Sequence, residues 1–416
     1  MRKPWILNNK NFSLVVLGQI ISIFGASLLR FALSLFVLDI TKSPETYAAL
    51  YGMSSVPVLL SPLGGAFADR FNRRNLMVIF DFTSSGVILG LFFLVSAGLH
   101  AVAPIGVIMV ILAFISSLYT PTVTASIPLL VENERLESAN GIVQAVPAIS
   151  NVAAPVLGGG LYGVAGIRTL VLISCAAFFA SAVMEIFIKI PFVKRETDSN
   201  IIKVIAKDMK DGIAYVVKQS FILKSVTLAA IFNFALIPLM VVGAPIILRV
   251  TMQSSDMMQG VGIALIGLSS ILGALTIGIF AKRIHVRTIY REISMVALFL
   301  LPMAAAVVPP VLRLGYLPSF ALFMGGAIPI AMAGTIISII VLAKMQRVTS
   351  NENLGKVMAI TMAAAQCVAP LGQVAYGFIF GAFKNHLYYP ILGVFLIVLG
   401  IAAFARRIFR NEPEIE

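Results

Sequence analysis

Charged side chains are scarce in this 416-residue sequence. Asp, Glu, Lys and Arg make up 12% of the residues, whereas hydrophobic residues make up 59%, and the mean hydropathy is +0.98. A soluble domain carries about 25% charged residues, and a chain of this length cannot enclose so much apolar surface in one core. The long apolar stretches also lack the alternation of polar and apolar residues that a barrel strand shows. The sequence therefore predicts membrane-spanning helices.

Cysteine and histidine are also rare. The two cysteines, Cys175 and Cys367, lie in apolar stretches, so no disulfide framework can be read from them. The three histidines, His100, His285 and His386, are far apart and show no metal-ligand spacing. A phosphate-binding Walker loop and a nucleophile elbow are both missing from the sequence. We therefore expect no cofactor, no metal site, no direct use of ATP and no catalytic residues, and so no enzyme.

Twelve apolar stretches have about the 20 residues that a bilayer crossing needs. They predict an all-α membrane protein with two pseudo-symmetric six-helix bundles. The predicted domains are an N-terminal bundle over 1–190, a cytoplasmic amphipathic linker over 191–222, and a C-terminal bundle with a short cytoplasmic tail over 223–416. The linker pattern has one apolar face and predicts a helix on the membrane surface. In order, the predicted spans are 12–38, 46–68, 76–98, 104–128, 140–163, 169–190, 223–248, 258–281, 291–312, 318–343, 357–381 and 387–405.

The basic residues predict the orientation of the chain. With the N-terminus inside, 25 of the 31 Lys and Arg residues lie in cytoplasmic segments and 5 lie in outer loops. This asymmetry predicts that both termini are cytoplasmic. The net charge of +13 is dispersed over many loops, so it indicates topology and attraction to anionic lipid rather than a nucleic-acid interface.

The two halves of the sequence repeat each other. The segment GAFADR at 65–70 corresponds to GIFAKR at 278–283, an offset of 213, and APVLG at 154–158 corresponds to APLGQ at 369–373, an offset of 215. Two matches at nearly one spacing indicate a duplication. Duplicated halves place a binding site between them and allow one half to move against the other.

Two motifs resemble those of the major facilitator superfamily of transporters. The segment 65–74, GAFADRFNRR, is similar to the superfamily's loop motif between spans two and three. The segment 150–159, SNVAAPVLGG, is similar to its antiporter motif in span five, with Ser150 and Ala154 where glycines are usual. The resemblance covers nearly the whole chain. It implies a twelve-helix secondary transporter, and the span-five motif favours export.

Shorter matches are similar to the macrolide-efflux-like bacterial branch, within the drug antiporters. They are GQIISIFG at 18–25 in span one, two prolines at 121 and 128, ANG at 139–141, and LGKV at 354–357 before span eleven. This resemblance implies a protein of the bacterial inner membrane that acts as a monomer. It does not identify a substrate.

The loop motif supplies the candidate gating residues. The resemblance implies that Asp69 lies at the N-terminus of span eleven, near Gly355, where the helix dipole favours an anion. The loop arginines are expected to pair with Asp81, Glu132 or Glu134. Alternatively, the basic residues of this loop only fix the orientation of the chain in the membrane. The candidate gating residues are Gly65, Asp69, Arg70, Arg73, Arg74 and Asp81.

Small residues and prolines in spans five and eleven supply a candidate hinge. Proline removes an amide donor and disturbs the helix, and glycines let another helix approach closely. The alternative is ordinary small-residue packing. The candidate hinge residues are Pro155, Gly158, Gly159, Pro370 and Gly372.

The resemblance implies a substrate cavity lined by spans one, four, seven and ten. Methionine and phenylalanine suit an adaptable apolar pocket. Arg30 is unusual because a cation inside a span costs about 2.5–3.5 kcal/mol. It binds an anionic group of the substrate, pairs with an acidic side chain, or extends to the outer interface. The candidate cavity residues are Gln19, Phe24, Arg30, Phe31, Phe114, Tyr119, Asn233, Met240, Met324 and Met332.

Two acids are embedded in predicted spans. Asp81 is expected to pair with the loop arginines, and Glu185 with Lys189 four residues later. Span one has Ala26 where many relatives carry an acid, and span four lacks the arginine of many proton antiporters. Proton coupling is therefore implied by the family alone.

Three functions remain open from the sequence. The first is proton-coupled export of amphipathic small molecules, of multidrug or macrolide type, by alternating access. The second is transport of a specific metabolite, siderophore or lysolipid. The third is a non-transporting membrane sensor or scaffold. The expected partners are an amphipathic small molecule, protons and the lipid bilayer, with no nucleic acid.

Overall fold

The structure, a computed structural model, describes residues 9–98, 101–191, 201–280 and 286–410. Within these ranges all regular structure is helical. Ten of the described helices are long and apolar enough to cross a membrane. The count is lower than twelve because span two is broken into pieces and spans five and six are continuous.

Spans one, three and four are single helices, Lys10–Thr41, Arg73–Ser96 and Val102–Ser126. Span two consists of Pro44–Ser55, a tight turn at Val56–Leu60 and Ser61–Arg70. Prolines at 57 and 62 remove amide donors where these pieces meet, which explains the break.

Spans five and six lie within one helical stretch, Leu136–Ile186. Gly166, with φ +71° and ψ 177°, separates them. Residues with a side chain rarely adopt this backbone conformation, so glycine permits the chain to reverse with almost no connecting loop. The predicted linker helix is present as Ile201–Lys218; its position on a membrane surface stays a prediction.

Span seven begins as Ser220–Pro238 and continues through wide π-helical turns at Leu239–Gly243 and Ile247–Thr251, on either side of Ala244–Ile246. Span eight is Asp256–Leu275 followed by Ile277–Phe280. The remaining helices are span nine at Ile289–Ala306, a short helix at Pro309–Arg313, span ten at Tyr316–Val348, span eleven at Asn351–Ala382 and span twelve at Tyr388–Phe409.

The contacts divide the chain into two compact units. The first contains Met1–Ile40, Met53–Ile201 and Asp256–Val261, and the second contains Thr41–Gly52, Ile202–Ser255 and Gly262–Glu416. Each unit thus takes one short segment from the other half of the sequence. The predicted domain limits of 190 and 223 are not tested by this grouping and stay a prediction.

Each exchanged segment has a tightly packed partner in its unit. In the first unit the start of span eight packs on span five, where Gly159 faces Asp256. In the second unit the start of span two packs on span eleven, where Gly377 faces Ala48. Small residues at such crossings let the helix backbones approach closely.

Candidate functional site

Two carboxyl groups are buried among the helices of the first unit. Asp81 of span three is 1% exposed and Glu185 of span six is 0% exposed. The Ser22 hydroxyl of span one donates to Asp81 Oδ1 at 3.0 Å. The Tyr119 hydroxyl of span four donates to Glu185 Oε1 at 2.8 Å. We call Ser22, Asp81, Tyr119 and Glu185 the acid cluster; it joins four spans.

One face of span one covers the acid cluster. A Cβ atom on Gly18 would lie 3.3 Å from both Glu185 Cγ and Ser181 Oγ, and one on Gly25 would lie 2.9 Å from Ala177 Cβ. Ser181 Oγ also donates to the Gly18 carbonyl at 2.9 Å. Positions 18, 22 and 25 recur at helical spacing, so a single stripe of small residues brings span one against span six.

Several oxygens of this region have no hydrogen-bond partner among the described residues. They are Asp81 Oδ2, Glu185 Oε2 and Gln19 Oε1, all buried. Gln19 uses only its amide nitrogen, which donates to the Val143 carbonyl at 3.3 Å. In the part of the chain that the structure describes, no basic side chain contacts either carboxyl. A buried carboxylate without a cation is costly, so this arrangement favours holding protons.

The expected pairing of Asp81 with the loop arginines is wrong. Asp81 bonds Ser22 instead, because it lies two turns inside span three, on the face turned towards span one. Arg73 donates from Nε to the Ala68 carbonyl at 2.9 Å and from Nη1 to the Ala125 carbonyl at 2.6 Å. Arg73 thereby ties the end of span two to the end of span four.

The expected pairing of Glu185 with Lys189 is also wrong. The helix ends at Ile186, so Lys189 does not lie one turn above Glu185. The backbone amide of Lys189 donates to Asn11 Oδ1 at 3.0 Å, and its side chain is exposed. Glu185 therefore points into the bundle, towards Tyr119.

The remaining candidate gating residues are only partly described. Gly65 and Asp69 lie in the helix Ser61–Arg70, but the surroundings of Gly65 and the side chain of Asp69 are outside what the structure describes. Arg74 is partly buried and donates to Asn75 Oδ1 at 2.9 Å. Arg70 is partly buried at the end of the same helix. The docking of Asp69 near Gly355 stays a prediction.

Glu132 and Glu134 follow span four, and of these two only Glu132 forms an ion pair among the described residues. Glu132 lies 3.6 Å from Arg135, and both side chains are exposed. An exposed pair of this kind contributes about 0–1 kcal/mol. It therefore adds little to any gate.

The candidate hinge in span five lies at a close backbone crossing. Gly159 faces the Asp256 carbonyl, and Gly260 faces the Pro155 carbonyl. Gly158 instead faces Phe31, 2.9 Å from the position of an added Cβ. We call the crossing of 155–163 with 256–261 the span-five seam. Gln259 is fully buried within this seam, and neither polar atom of its side-chain amide has a partner among the described residues.

The candidate hinge in span eleven also lies at helix crossings. A Cβ on Gly372 would lie 2.5 Å from Pro238 Cγ of span seven. The Pro370 carbonyl is 3.1 Å from the position of a Cβ on Gly52. These contacts place both residues at crossings, and a hinge function for either span stays a prediction.

The candidate cavity residues fall into three groups by exposure. Gln19, Phe31, Tyr119 and Met324 are buried by helix packing. Phe24, Asn233, Met240 and Met332 are partly buried, and Arg30 and Phe114 are exposed. Gln19 and Tyr119 belong to the region of the acid cluster. Their place in a substrate cavity stays a prediction.

The chemistry of Glu185 was the main feature that sequence reasoning missed. Its partner Tyr119 lies 66 residues away in the sequence. The available signal was the stripe of Gly18, Ser22 and Gly25, which shows that span one approaches a neighbour closely. The described residues contain no group of three His, Cys, Asp or Glu side chains placed to hold a metal ion.

The described residues form a helical fold with an internal duplication and a buried polar cluster, which defines a class of polytopic membrane proteins. The sequence profile of the Major Facilitator Superfamily matches residues 15–342. The chain belongs to the Major Facilitator Superfamily. It is therefore a multi-pass protein of the bacterial inner membrane, and members of this superfamily are in general not enzymes.

Two curated relatives are similar to this chain over about half of its length. The MFS-type transporter YfiS of Bacillus subtilis is 23% identical over 239 residues, 57% of this chain and 56% of that protein. Macrolide efflux protein A of Streptococcus pyogenes is 22% identical over 232 residues, 53% of this chain and 55% of that protein. The chain thus spans about half the length of the curated relatives that it matches.

Solved structures confirm the twelve-helix fold. A bacterial homologue of the lysosomal transporter Spinster, inward-facing and occupied, has a TM-score of 0.74 at 15% identity, covering 97% of both chains. A bacterial homologue of the iron transporter ferroportin has a TM-score of 0.72 at 15% identity, covering 95% of this chain and 98% of that one. At these identities the likeness shows the fold alone.

Replacing Tyr119 with phenylalanine is expected to destabilise the first unit. The change leaves Glu185 Oε1 without its donor, and hydrogen bonds within membrane bundles contribute about 0.6–2 kcal/mol. The measurement is the thermal unfolding of purified protein in detergent. Tyr215→Phe is the matched control, because Tyr215 lies in the linker helix and its hydroxyl has no hydrogen-bond partner among the described residues. Equal midpoints for the two variants would contradict the contribution of this bond.

Proposed function

We propose that this chain is a proton-coupled exporter of amphipathic small molecules, acting as a monomer by alternating access. The observation that carries the proposal is the acid cluster, in which two carboxyls are buried without a cation in the described structure. Such a site can take up a proton on one side of the membrane and release it on the other. Buried ionisable groups inside a bundle are expensive, and they commonly mark proton relays.

Two further observations support export rather than uptake. The span-five seam coincides with the segment that resembles the antiporter motif, and it is tight enough to close a pathway without a side chain between the helices. Relatives of the chain include macrolide efflux protein A. The proposed substrate class therefore consists of amphipathic compounds of macrolide type.

The proposal predicts that cells expressing the chain exclude ethidium and resist a macrolide. A protonophore is expected to abolish the exclusion, because the proton gradient supplies the energy. Accumulation of the dye is measured by fluorescence in a host without its own drug exporters. Asp69→Asn is expected to raise accumulation to the level of cells without the protein, since the gating motif loses its anion.

Glu137→Gln is the matched control for this experiment. Glu137 is exposed at the start of span five, so its neutralisation should leave exclusion unchanged. Unchanged accumulation in cells that contain the wild-type protein in their membranes would argue against a multidrug substrate range. The specific-metabolite alternative would then be favoured, and Arg30 would indicate an anionic substrate.

A further inference from the structure

The acid cluster has an unusual balance of donors and acceptors. Each carboxyl has one oxygen bonded to a hydroxyl of another span and one oxygen without a partner in the described structure. Tyr119, which bonds Glu185, also lies beside Ser22, which bonds Asp81. The two carboxyls therefore belong to one continuous network, although they are 104 positions apart in the sequence.

The charges around the network decide how many protons it holds. Ser22 and Gln19 face it from span one, Tyr119 from span four and Ser181 from span six, and all of these side chains are neutral. The only titratable groups that face the carboxyls in the described structure are each other and Tyr119. Two carboxylates that share a dry site repel each other, so the two cannot both ionise without a large cost.

We propose that Asp81 and Glu185 together hold one exchangeable proton, and that span one shuts this proton away from water. This inference rests on the proposed function, because it identifies the site of the coupling ion. With one proton bound, one carboxyl becomes a hydrogen-bond donor and the network carries a single negative charge. With no proton bound, the network carries two negative charges. Their repulsion then destabilises the arrangement in which span one covers the two acids.

Span one seals the site because its small-residue stripe packs directly on span six. Gly18 packs closely against Glu185 and Ser181. Asp81 and Glu185 are both buried from solvent. A proton can leave only when span one moves away from spans three and six. Movement of span one therefore determines when the proton exchanges, which is the requirement for coupling it to substrate.

The number of protons is measured by infrared difference spectroscopy of the purified protein across a pH titration. A protonated carboxyl has a C=O stretch that carboxylates lack. The other carboxyls of the chain titrate in both proteins, so the difference between them counts the protons held by the pair. As pH rises, we expect the wild type to lose one carboxyl equivalent of this band more than the double variant Asp81→Asn, Glu185→Gln. An equal loss in the two proteins, or a difference of two equivalents, would overturn the proposal.

The seal is measured by the rate at which the same band shifts after transfer to D₂O. Gly18→Leu forces span one away from Glu185, so exchange of the acid proton should be at least about tenfold faster than in the wild type. Gly86→Leu in span three is the matched control, because an added Cβ at Gly86 meets nothing within 4 Å. Equal exchange rates in the wild type and both variants would show that span one does not shut the site.

Coupling is measured in liposomes, by ethidium movement with and without an imposed pH gradient. Asp81→Asn and Glu185→Gln should each abolish gradient-driven accumulation, while dye exchange without a gradient persists. Glu137→Gln should behave like the wild type. If both variants still accumulate ethidium under a pH gradient, the coupling proton does not bind at Asp81 and Glu185. If the wild type does not move ethidium at all, the proposed function fails, and the infrared titration still decides whether the proton is present.

Discussion

Replacing Gly159 with alanine is expected to lower dye export by roughly tenfold or more. The added methyl group would meet the Asp256 carbonyl and come within 3.2 Å of Met257 Cα. These are backbone atoms, so they cannot rotate away as a side chain would, and the span-five seam cannot close. Overpacking of this kind costs about 1–3 kcal/mol, which shifts a two-state equilibrium about 5–150-fold.

Gly160→Ala is the matched control for this prediction. Its added methyl group would lie 3.6 Å from Met257 Sδ, an ordinary van der Waals contact with a flexible side chain. Both variants are compared for ethidium export at equal amounts of protein in the membrane. The hinge hypothesis for span five requires that only Gly159→Ala lose export. Similar export by the two variants would make this seam ordinary helix packing.

Replacing Gly326 with alanine is expected to destabilise the second unit strongly. Gly326 lies in span ten against span nine, where an added Cβ would meet the Phe299 carbonyl and lie 2.5 Å from Met303 Cγ. The two helix backbones must therefore separate along a buried interface. The expected cost is about 1–3 kcal/mol, measured as a lower midpoint of thermal unfolding and a lower yield of folded protein.

Gly325→Ala provides an adjacent comparison on the same helix. An added Cβ there meets nothing within 4 Å, and alanine favours the helix over glycine by about 1 kcal/mol. This variant should unfold at the wild-type temperature or slightly above it. If Gly326→Ala proves as stable as Gly325→Ala, then the interface between spans nine and ten adapts more easily than the structure implies.

The sequence predicted the fold well because the relevant signals are local. Lipid offers no hydrogen-bond partner to the backbone, so each span must form its backbone hydrogen bonds internally. An apolar run of sufficient length is therefore a helix. The breaks were less predictable. Span two is interrupted at its prolines, and Gly166 reverses the chain between spans five and six with almost no loop.

The candidate sites were predicted less completely. The sequence assigned Asp81 to the gate and both Tyr119 and Gln19 to the substrate cavity, and it gave Glu185 the wrong partner. The structure brings all four into one region, because spans one, three, four and six expose their polar faces to each other. Helical spacing identifies which residues share a face of one helix, but it does not identify the helix that this face meets.

The sequence by itself determined that this protein is a duplicated helical membrane protein, since length, hydropathy and internal repetition are properties of the chain alone. Only the tertiary structure decided that Asp81 bonds Ser22, that Glu185 bonds Tyr119, and that span one covers them. These contacts depend on how each helix is rotated and tilted against its neighbours. Packing of small residues sets those angles, and in this chain the Gly18 and Gly25 contacts with span six fix the position of span one.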